Sequence, residues 1–125
     1  MVNRRTGFTL IELLVVMAVI ATLLTLAIPR YFASVDRSKE AVLRENLNTM
    51  RDAIDKFHAD TGNYPPTLQD LVTKRYLRSL PVDPVTESPL TWLALPPPAA
   101  TGGGVYDVRS GAEGNAQDGR KYSEL

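Results

Sequence analysis

The sequence contains no cysteine among its 125 residues. Small domains outside the cytoplasm are often stabilised by disulfides, so this chain must obtain its stability in another way. A bound metal, oligomerisation or helix packing can each stabilise a domain of this size without a disulfide.

Catalytic motifs are also missing. His58 is the sole histidine, no cysteine can act as a nucleophile, and no Gly-x-Ser-x-Gly elbow accompanies the serines. No glycine-rich loop ends in the Lys-Ser/Thr pair of a phosphate-binding motif. A formal net charge of zero gives no support to nucleic-acid binding. We therefore predict that the chain is not an enzyme, and we interpret His58 as a solvated or helix-capping residue.

One long apolar run, from Phe8 to Ile28, contains neither glycine nor proline and is 21 residues long. At about 1.5 Å per residue, a helix of this length spans roughly 30 Å, the thickness of a bilayer's hydrocarbon core. Arg4 and Arg5 stand just before it, and the positive-inside bias would keep them in the cytoplasm. The run therefore predicts a membrane-spanning helix, with the rest of the chain across the membrane.

Glu12 is the only ionisable side chain of this run. An ionised carboxylate in hydrocarbon costs at least a few kcal/mol, which makes such a residue a functional candidate. The carboxylate becomes tolerable when it meets an opposite charge, and the N-terminus of a helix carries partial positive charge.

The segment Gly7-Phe8-Thr9-Leu10-Ile11-Glu12 resembles the class III signal of type IV pilins and type II secretion pseudopilins. The resemblance implies that a prepilin peptidase cuts between Gly7 and Phe8 and methylates the new N-terminus at Phe8. It also implies that Glu12 pairs with the N-terminal ammonium of a neighbouring subunit during assembly.

Other interpretations of the N-terminal region remain open. A conventional secretory signal has a shorter apolar region, of about 7–15 residues, and an ordinary single-pass anchor could carry Glu12 by accident. Within the family, the absence of cysteine favours a pseudopilin, because many type IV pilins carry a C-terminal disulfide loop. A type IV pilus subunit for adhesion or motility, and a membrane-anchored periplasmic binding domain, are the alternative functions.

The helix is expected to continue beyond the membrane segment. Pro29 predicts a kink or a loosened turn rather than a stop, because a helical pattern resumes directly after it. A one-sided apolar stripe then predicts a core-facing helix to about Asp60, and Gly62 with the following prolines ends it. The stripe consists of Leu43, Leu47, Met50, Ile54 and Phe57.

The remainder predicts a short helix and two strands. Thr67 is a suitable N-cap for the short helix. The strands are expected at Leu90–Leu95 and Gly104–Arg109, separated by a loop rich in proline and glycine at Pro96–Gly104. The predicted fold is therefore α+β and pilin-like, with a long N-terminal helix, membrane-spanning in its first half, packed against a small antiparallel sheet. We divide it into a leader (1–7), a transmembrane and assembly helix (8–28) and a periplasmic globular domain (29–125).

The C-terminal loop from Ser110 to Gly119 mixes oxygen-bearing side chains with glycines. It resembles the calcium loop of the major pseudopilin. The resemblance implies Glu113 and Asp118 as carboxylate ligands of Ca²⁺, with Ser110 at the position that supplies a backbone carbonyl; this cation takes six to eight oxygens. A plain solvated turn is the alternative.

The resemblance implies a structural function, namely a subunit of a type II secretion pseudopilus. The implied location is the bacterial inner membrane, with a single span, a cytoplasmic N-terminus and a periplasmic domain. The implied partners are further copies of the chain in a helical polymer, minor pseudopilins, the prepilin peptidase and the inner-membrane assembly platform.

Overall fold

The computed structural model describes residues 7–98 and 102–125. In chain order, its elements are helix α1 (Leu10–Thr61), helix α2 (Leu68–Thr73), strand β1 (Trp92–Leu95), strand β2 (Asp107–Ser110) and one 3-10 turn (Tyr122–Glu124). The chain divides into two units, of which the first ends at Asp36 and the second runs from Arg37 to Leu125. Most of the predicted leader, including Arg4 and Arg5, lies outside the described residues, as does part of the predicted Pro96–Gly104 loop.

The first unit holds the part of α1 before Arg37. Its apolar side chains are exposed in the single chain, from Phe8 through Ile28. Pro29 lies inside the helix and does not end it, as predicted. Proline has no amide hydrogen, so one hydrogen bond of the helical ladder is absent at this position.

The second unit is built on the amphipathic part of α1. All five residues of the predicted stripe are buried, which confirms it as the core face. They pack in one cluster with apolar residues from α2 and the sheet, including Leu71, Trp92 and Val108. The confirmed layout is the predicted α+β arrangement of a long N-terminal helix on a small antiparallel sheet.

Local signals set the ends of both helices. Gly62 adopts a left-handed φ of 76° directly after α1, and its amide donates to the carbonyl of His58 at 2.8 Å. Thr67 caps α2 as predicted: its hydroxyl accepts from the Asp70 amide, and the Asp70 carboxylate accepts from the Thr67 amide at 2.9 Å. This reciprocal pair is a capping box.

The two strands are antiparallel, with Trp92 opposite Ser110 and Leu95 opposite Asp107. Both begin later than predicted. The first begins at Trp92, because the Leu90 amide donates to the Ser88 side chain in a preceding turn. The second begins at Asp107, because the Val105 amide donates to the carbonyl of Pro65 at 2.7 Å instead of to a strand.

Arg51 joins three segments of the second unit. From α1 its guanidinium donates to the Asp107 carboxylate at 2.8 Å, to the Val108 carbonyl at 3.0 Å and to the Leu125 carbonyl at 2.8 Å. A two-stranded sheet is marginal by itself in water. The helix therefore supports the sheet through this side chain as well as through the apolar core.

We predict that Gly111→Ala destabilises the second unit by roughly 1–3 kcal/mol, the usual cost of overpacking. A Cβ at this position would lie 2.2 Å from the carbonyl oxygen of Thr91, so the backbone beside Trp92 has to move. Thermal unfolding of the full chain in detergent, followed by the fluorescence of its single tryptophan, measures the effect.

Gly103→Ala is the matched control, since a Cβ there meets no atom within 4 Å. Equal unfolding temperatures for the two variants would show that the close approach of Gly111 to Thr91 does not exist.

Candidate functional site

The first candidate site is the segment that precedes α1. Gly7, Phe8 and Thr9 are exposed and lie outside the helix, which begins at Leu10. The peptide bond between Gly7 and Phe8 is therefore not held in a helical hydrogen-bond ladder. Exposed terminal segments of this kind are preferred sites of proteolysis.

Thr9 is positioned as the cap of α1. Its hydroxyl oxygen accepts from the Glu12 amide at 3.1 Å, and its carbonyl accepts from the Leu13 amide at 3.1 Å. The hydroxyl thereby satisfies one of the amides that a helix leaves unpaired at its start. The cap residue of the helix thus follows directly after the predicted new N-terminus, Phe8.

Glu12 lies in the first turn of α1 and is exposed in the single chain. Within residues 7–98 and 102–125 it makes no ion pair. Phe8, its predicted companion in assembly, is 85% exposed. Both side chains are therefore accessible to a second molecule.

The apolar part of α1 is the second feature of the site. Within the described residues, α1 is long and apolar enough to cross a membrane. Its most apolar stretch contains no buried residue. Water is a poor solvent for such a surface, because exposed apolar area costs about 25 cal/mol per Å² relative to burial. The surface needs a cover of hydrocarbon or of other apolar helices.

Asp83 is a structural residue whose role the sequence did not reveal. It is fully buried, and its carboxylate accepts from the Val85 amide at 2.8 Å and from the Ser110 hydroxyl. The Ser110 hydroxyl accepts in turn from the Ala112 amide at 3.1 Å. The Asp-Pro pair at 83–84 signals a turn, but nothing local indicates the distant serine. The side chain of Ser110 is therefore engaged in a buried hydrogen-bond network.

Asp118 lies among arginines. Its carboxylate is 3.2 Å from the guanidinium of Arg44 and 2.8 Å from that of Arg120. The side-chain and amide hydrogen bonds from Arg120, aided by Arg44, lower the pKa of Asp118 to about 2. The carboxylate is ionised at neutral pH, and cationic groups already neutralise it.

Glu40 on α1 belongs to the same group of charges. Its carboxylate accepts from the backbone amide of Gln117 at 3.0 Å and from Arg44 at 2.9 Å. The hydrogen bond from the Gln117 amide is the largest cause that lowers the pKa of Glu40, and Arg44 lowers it further. The hydrogen bonds that Arg44 donates to Glu40 and Asp118 raise the pKa of Arg44 above its already high value.

The three residues implied as calcium ligands fit the ion poorly. Ser110 and Glu113 line one hollow together with Lys121, whereas Asp118 does not line it and contacts arginines instead. Among the described residues, no group of three or more acidic, histidine or cysteine side chains is arranged to hold a metal. Calcium prefers six to eight oxygen ligands. Calcium binding stays a prediction, and the loop has other contacts that hold it.

His58 lies near the end of α1, exposed to solvent, and its ring stacks on that of Tyr64 with a centroid distance of 4.3 Å. Tyr64 also contacts Tyr106 edge to face. The histidine thus takes part in an aromatic contact at the edge of the second unit.

Comparison with known proteins addresses the N-terminal segment first. Residues 2–28 match the family model described as the prokaryotic N-terminal methylation motif. We call the apolar part of α1 up to Ile28 the stem. An apolar stem with this motif, followed by a small α+β unit, defines a protein of the pilin class.

Curated relatives of the chain carry the name type II secretion system core protein G, including the following three. The one from Pseudomonas aeruginosa is 32% identical over 98 residues, which cover 66% of this chain and 69% of the relative. The relative from Xanthomonas campestris pv. campestris is 35% identical over 68 residues, and the match covers 54% of this chain and 48% of the relative. The relative from Klebsiella michiganensis is 30% identical over 94 residues, and the match covers 62% of this chain and 66% of the relative. No solved structure gave a significant match.

The chain belongs to the family of type II secretion system core protein G, the major pseudopilins. It spans between about half and about two thirds of the length of these relatives. The family resemblance expected from the sequence is confirmed.

We predict that Thr9→Val loosens the first turn of α1, because valine cannot accept the hydrogen bond from the Glu12 amide. Loss of an N-cap costs about 1 kcal/mol, which corresponds to roughly five-fold faster hydrogen exchange at that amide. Exchange measured by NMR in detergent micelles checks this, with Thr9→Ser as the control that retains the hydroxyl. Unchanged exchange in Thr9→Val would contradict the capping role.

Proposed function

We propose that this chain is a membrane-anchored structural subunit of a type II secretion pseudopilus. The observation that carries the proposal is the apolar stem of α1 up to Ile28, which is exposed in the single chain and whose one ionisable side chain is Glu12. Such a stem is stable in a bilayer and equally stable among copies of itself. A subunit can thus be stored in the membrane and later assembled into a filament whose core consists of stems.

Processing prepares the subunit for assembly. Cleavage between Gly7 and Phe8 removes the leader and creates an ammonium group at Phe8, which a prepilin peptidase then methylates. The exposure of both residues outside the helix supports this step. The new charge lies next to the cap residue Thr9, at the helix end that already carries partial positive charge.

Glu12 sets the register between subunits. When the stem enters a filament core, an unpaired carboxylate would be buried at a cost of several kcal/mol. The N-terminal ammonium at Phe8 of a neighbouring copy removes this cost if it lies against the carboxylate. Copies that pair in this way are held at one axial position, and a regular helical polymer follows.

The location and partners follow from the same proposal. The stem spans the inner membrane with the leader in the cytoplasm, and the second unit lies in the periplasm. Besides copies of itself, the subunit meets the prepilin peptidase, the inner-membrane assembly platform and minor pseudopilins. Its contribution to secretion is mechanical, because a growing filament helps to move exported proteins, and the chain itself catalyses no reaction.

Glu12→Leu should abolish polymer formation while leaving membrane insertion intact, since leucine removes the carboxylate that the neighbouring ammonium needs. Crosslinking of subunits in membranes and electron microscopy of sheared filaments measure the effect. Glu12→Asp should assemble in part, because it retains the charge on a shorter side chain.

Glu124→Gln removes a carboxylate far along the sequence and serves as the control. Filaments of normal length and number from Glu12→Leu would show that the carboxylate does not set the register.

When the chain is produced together with a prepilin peptidase, we expect its intact mass to decrease by the mass of the first seven residues and to increase by the net mass of one methylation. Gly7→Leu should prevent the cut, because the peptidase must accommodate the residue before the cleaved bond, whereas Gly103→Ala should be processed normally. A full-length mass for the native chain would instead favour a simple membrane-anchored binding domain.

A further inference from the structure

Four charged side chains join the C-terminal loop to α1. Glu40 and Arg44 lie one turn apart on the helix and form an ion pair at 2.9 Å. Asp118 and Arg120 lie on the loop and form another at 2.8 Å, and Arg44 links the two pairs through its 3.2 Å contact with Asp118. We name these four residues the charge clasp.

The loop is folded so that it presents Asp118 to the helix. The Ala116 amide donates to the Arg120 carbonyl at 2.7 Å, and the Gly119 amide donates back to the Ala116 carbonyl at 3.1 Å. Gly119 adopts a φ of 88°, which favours glycine. Ala116, where this tight turn begins, is buried and is held by packing. Asp118, inside the turn, is held by its ion pair with Arg44.

The helix also holds the backbone of the loop. The second carboxylate oxygen of Glu40 accepts from the amide of Gln117 at 3.0 Å. One glutamate therefore binds both a loop amide and Arg44, and its side chain is only 13% exposed. Charge-assisted hydrogen bonds of this kind are stronger than neutral ones.

We propose that the charge clasp fixes the C-terminal loop on α1 without a divalent cation, so that the folded second unit is independent of calcium. The clasp does for this chain what a bound Ca²⁺ would do in the loop that the sequence resembles. This inference concerns the folding of one subunit and does not depend on filament assembly.

The geometry favours arginine over calcium. Asp118 is the carboxylate that a cation at this position would need, and two guanidinium groups already contact it. A calcium ion would have to displace both, and the hollow that Glu113 and Ser110 line does not include Asp118 in its lining. A single exposed ion pair contributes little to stability, so the clasp acts through its connected contacts rather than through one strong bond.

The decisive measurement is hydrogen exchange of the Gln117 amide in the full chain in detergent, recorded by NMR with EDTA and then with millimolar calcium. We expect the same protection in both conditions. Arg44→Ala should speed exchange by roughly three- to ten-fold, the loss expected for a small ion-pair network, and calcium should not restore protection.

Arg37→Ala is the matched control. Arg37 lines the same hollow as Glu40 and Arg44 and forms no ion pair within the described parts of the chain. This variant should exchange like the unaltered chain. The emission of Trp92 should stay unchanged in all variants, which separates release of the loop from unfolding of the whole unit.

The salt dependence of hydrogen exchange is an independent test of the proposal. At about 1 M NaCl, where the screening length is near 3 Å, exchange at Gln117 should accelerate in the unaltered chain and change little in Arg44→Ala. Protection that is lost with EDTA and regained with calcium would overturn the proposal, as would normal protection in Arg44→Ala.

Discussion

The structure depends on one constraint: an apolar helical surface that contains a single carboxylate cannot remain in water. Hydrophobic area drives the stem towards hydrocarbon, and the cost of burying Glu12 drives it towards a positively charged neighbour. The first requirement is satisfied by lipid and by other apolar helices alike, whereas the second is satisfied by a partner that carries a positive charge. In the proposed pseudopilus, the two requirements together distinguish an assembling subunit from a passive membrane anchor.

The second unit shows how much a local pattern can reveal. The buried stripe of α1, the glycine after its last turn and the capping box of Thr67 and Asp70 are all signals within a few residues of sequence. Each acts through the helix itself, either by spacing apolar side chains on one face or by satisfying amides at an end. The sequence therefore predicted the core face, the end of α1 near Asp60 and the N-cap of α2 correctly, whereas α1 begins at Leu10, two residues after the predicted start at Phe8. The motif around Gly7 is likewise contiguous, which is why the family could be recognised from it.

What the sequence did not reveal depends on contacts between distant segments. Arg51 and Asp107 are 56 positions apart, and Ser110 reaches back 27 positions to Asp83. No spacing rule connects such pairs, because their meeting depends on how the loops return to the helix. The second strand was predicted to begin too early for a similar reason, since the amide of Val105 is taken by a carbonyl from another loop. The resemblance of the C-terminal loop to a calcium loop likewise gave no sign of the arginine on α1 that lies 74 positions before Asp118.

The three hydrogen bonds of Arg51 have a consequence for how the chain matures. They join a helix, a strand and the terminal carbonyl of Leu125 through one guanidinium, whose planar array of donors no lysine can reproduce. A secreted domain with covalent bridges needs an oxidant and sometimes an isomerase before its fold is complete. With no cysteine in its sequence, this unit forms no disulfide, so its folding needs neither an oxidant nor a disulfide isomerase.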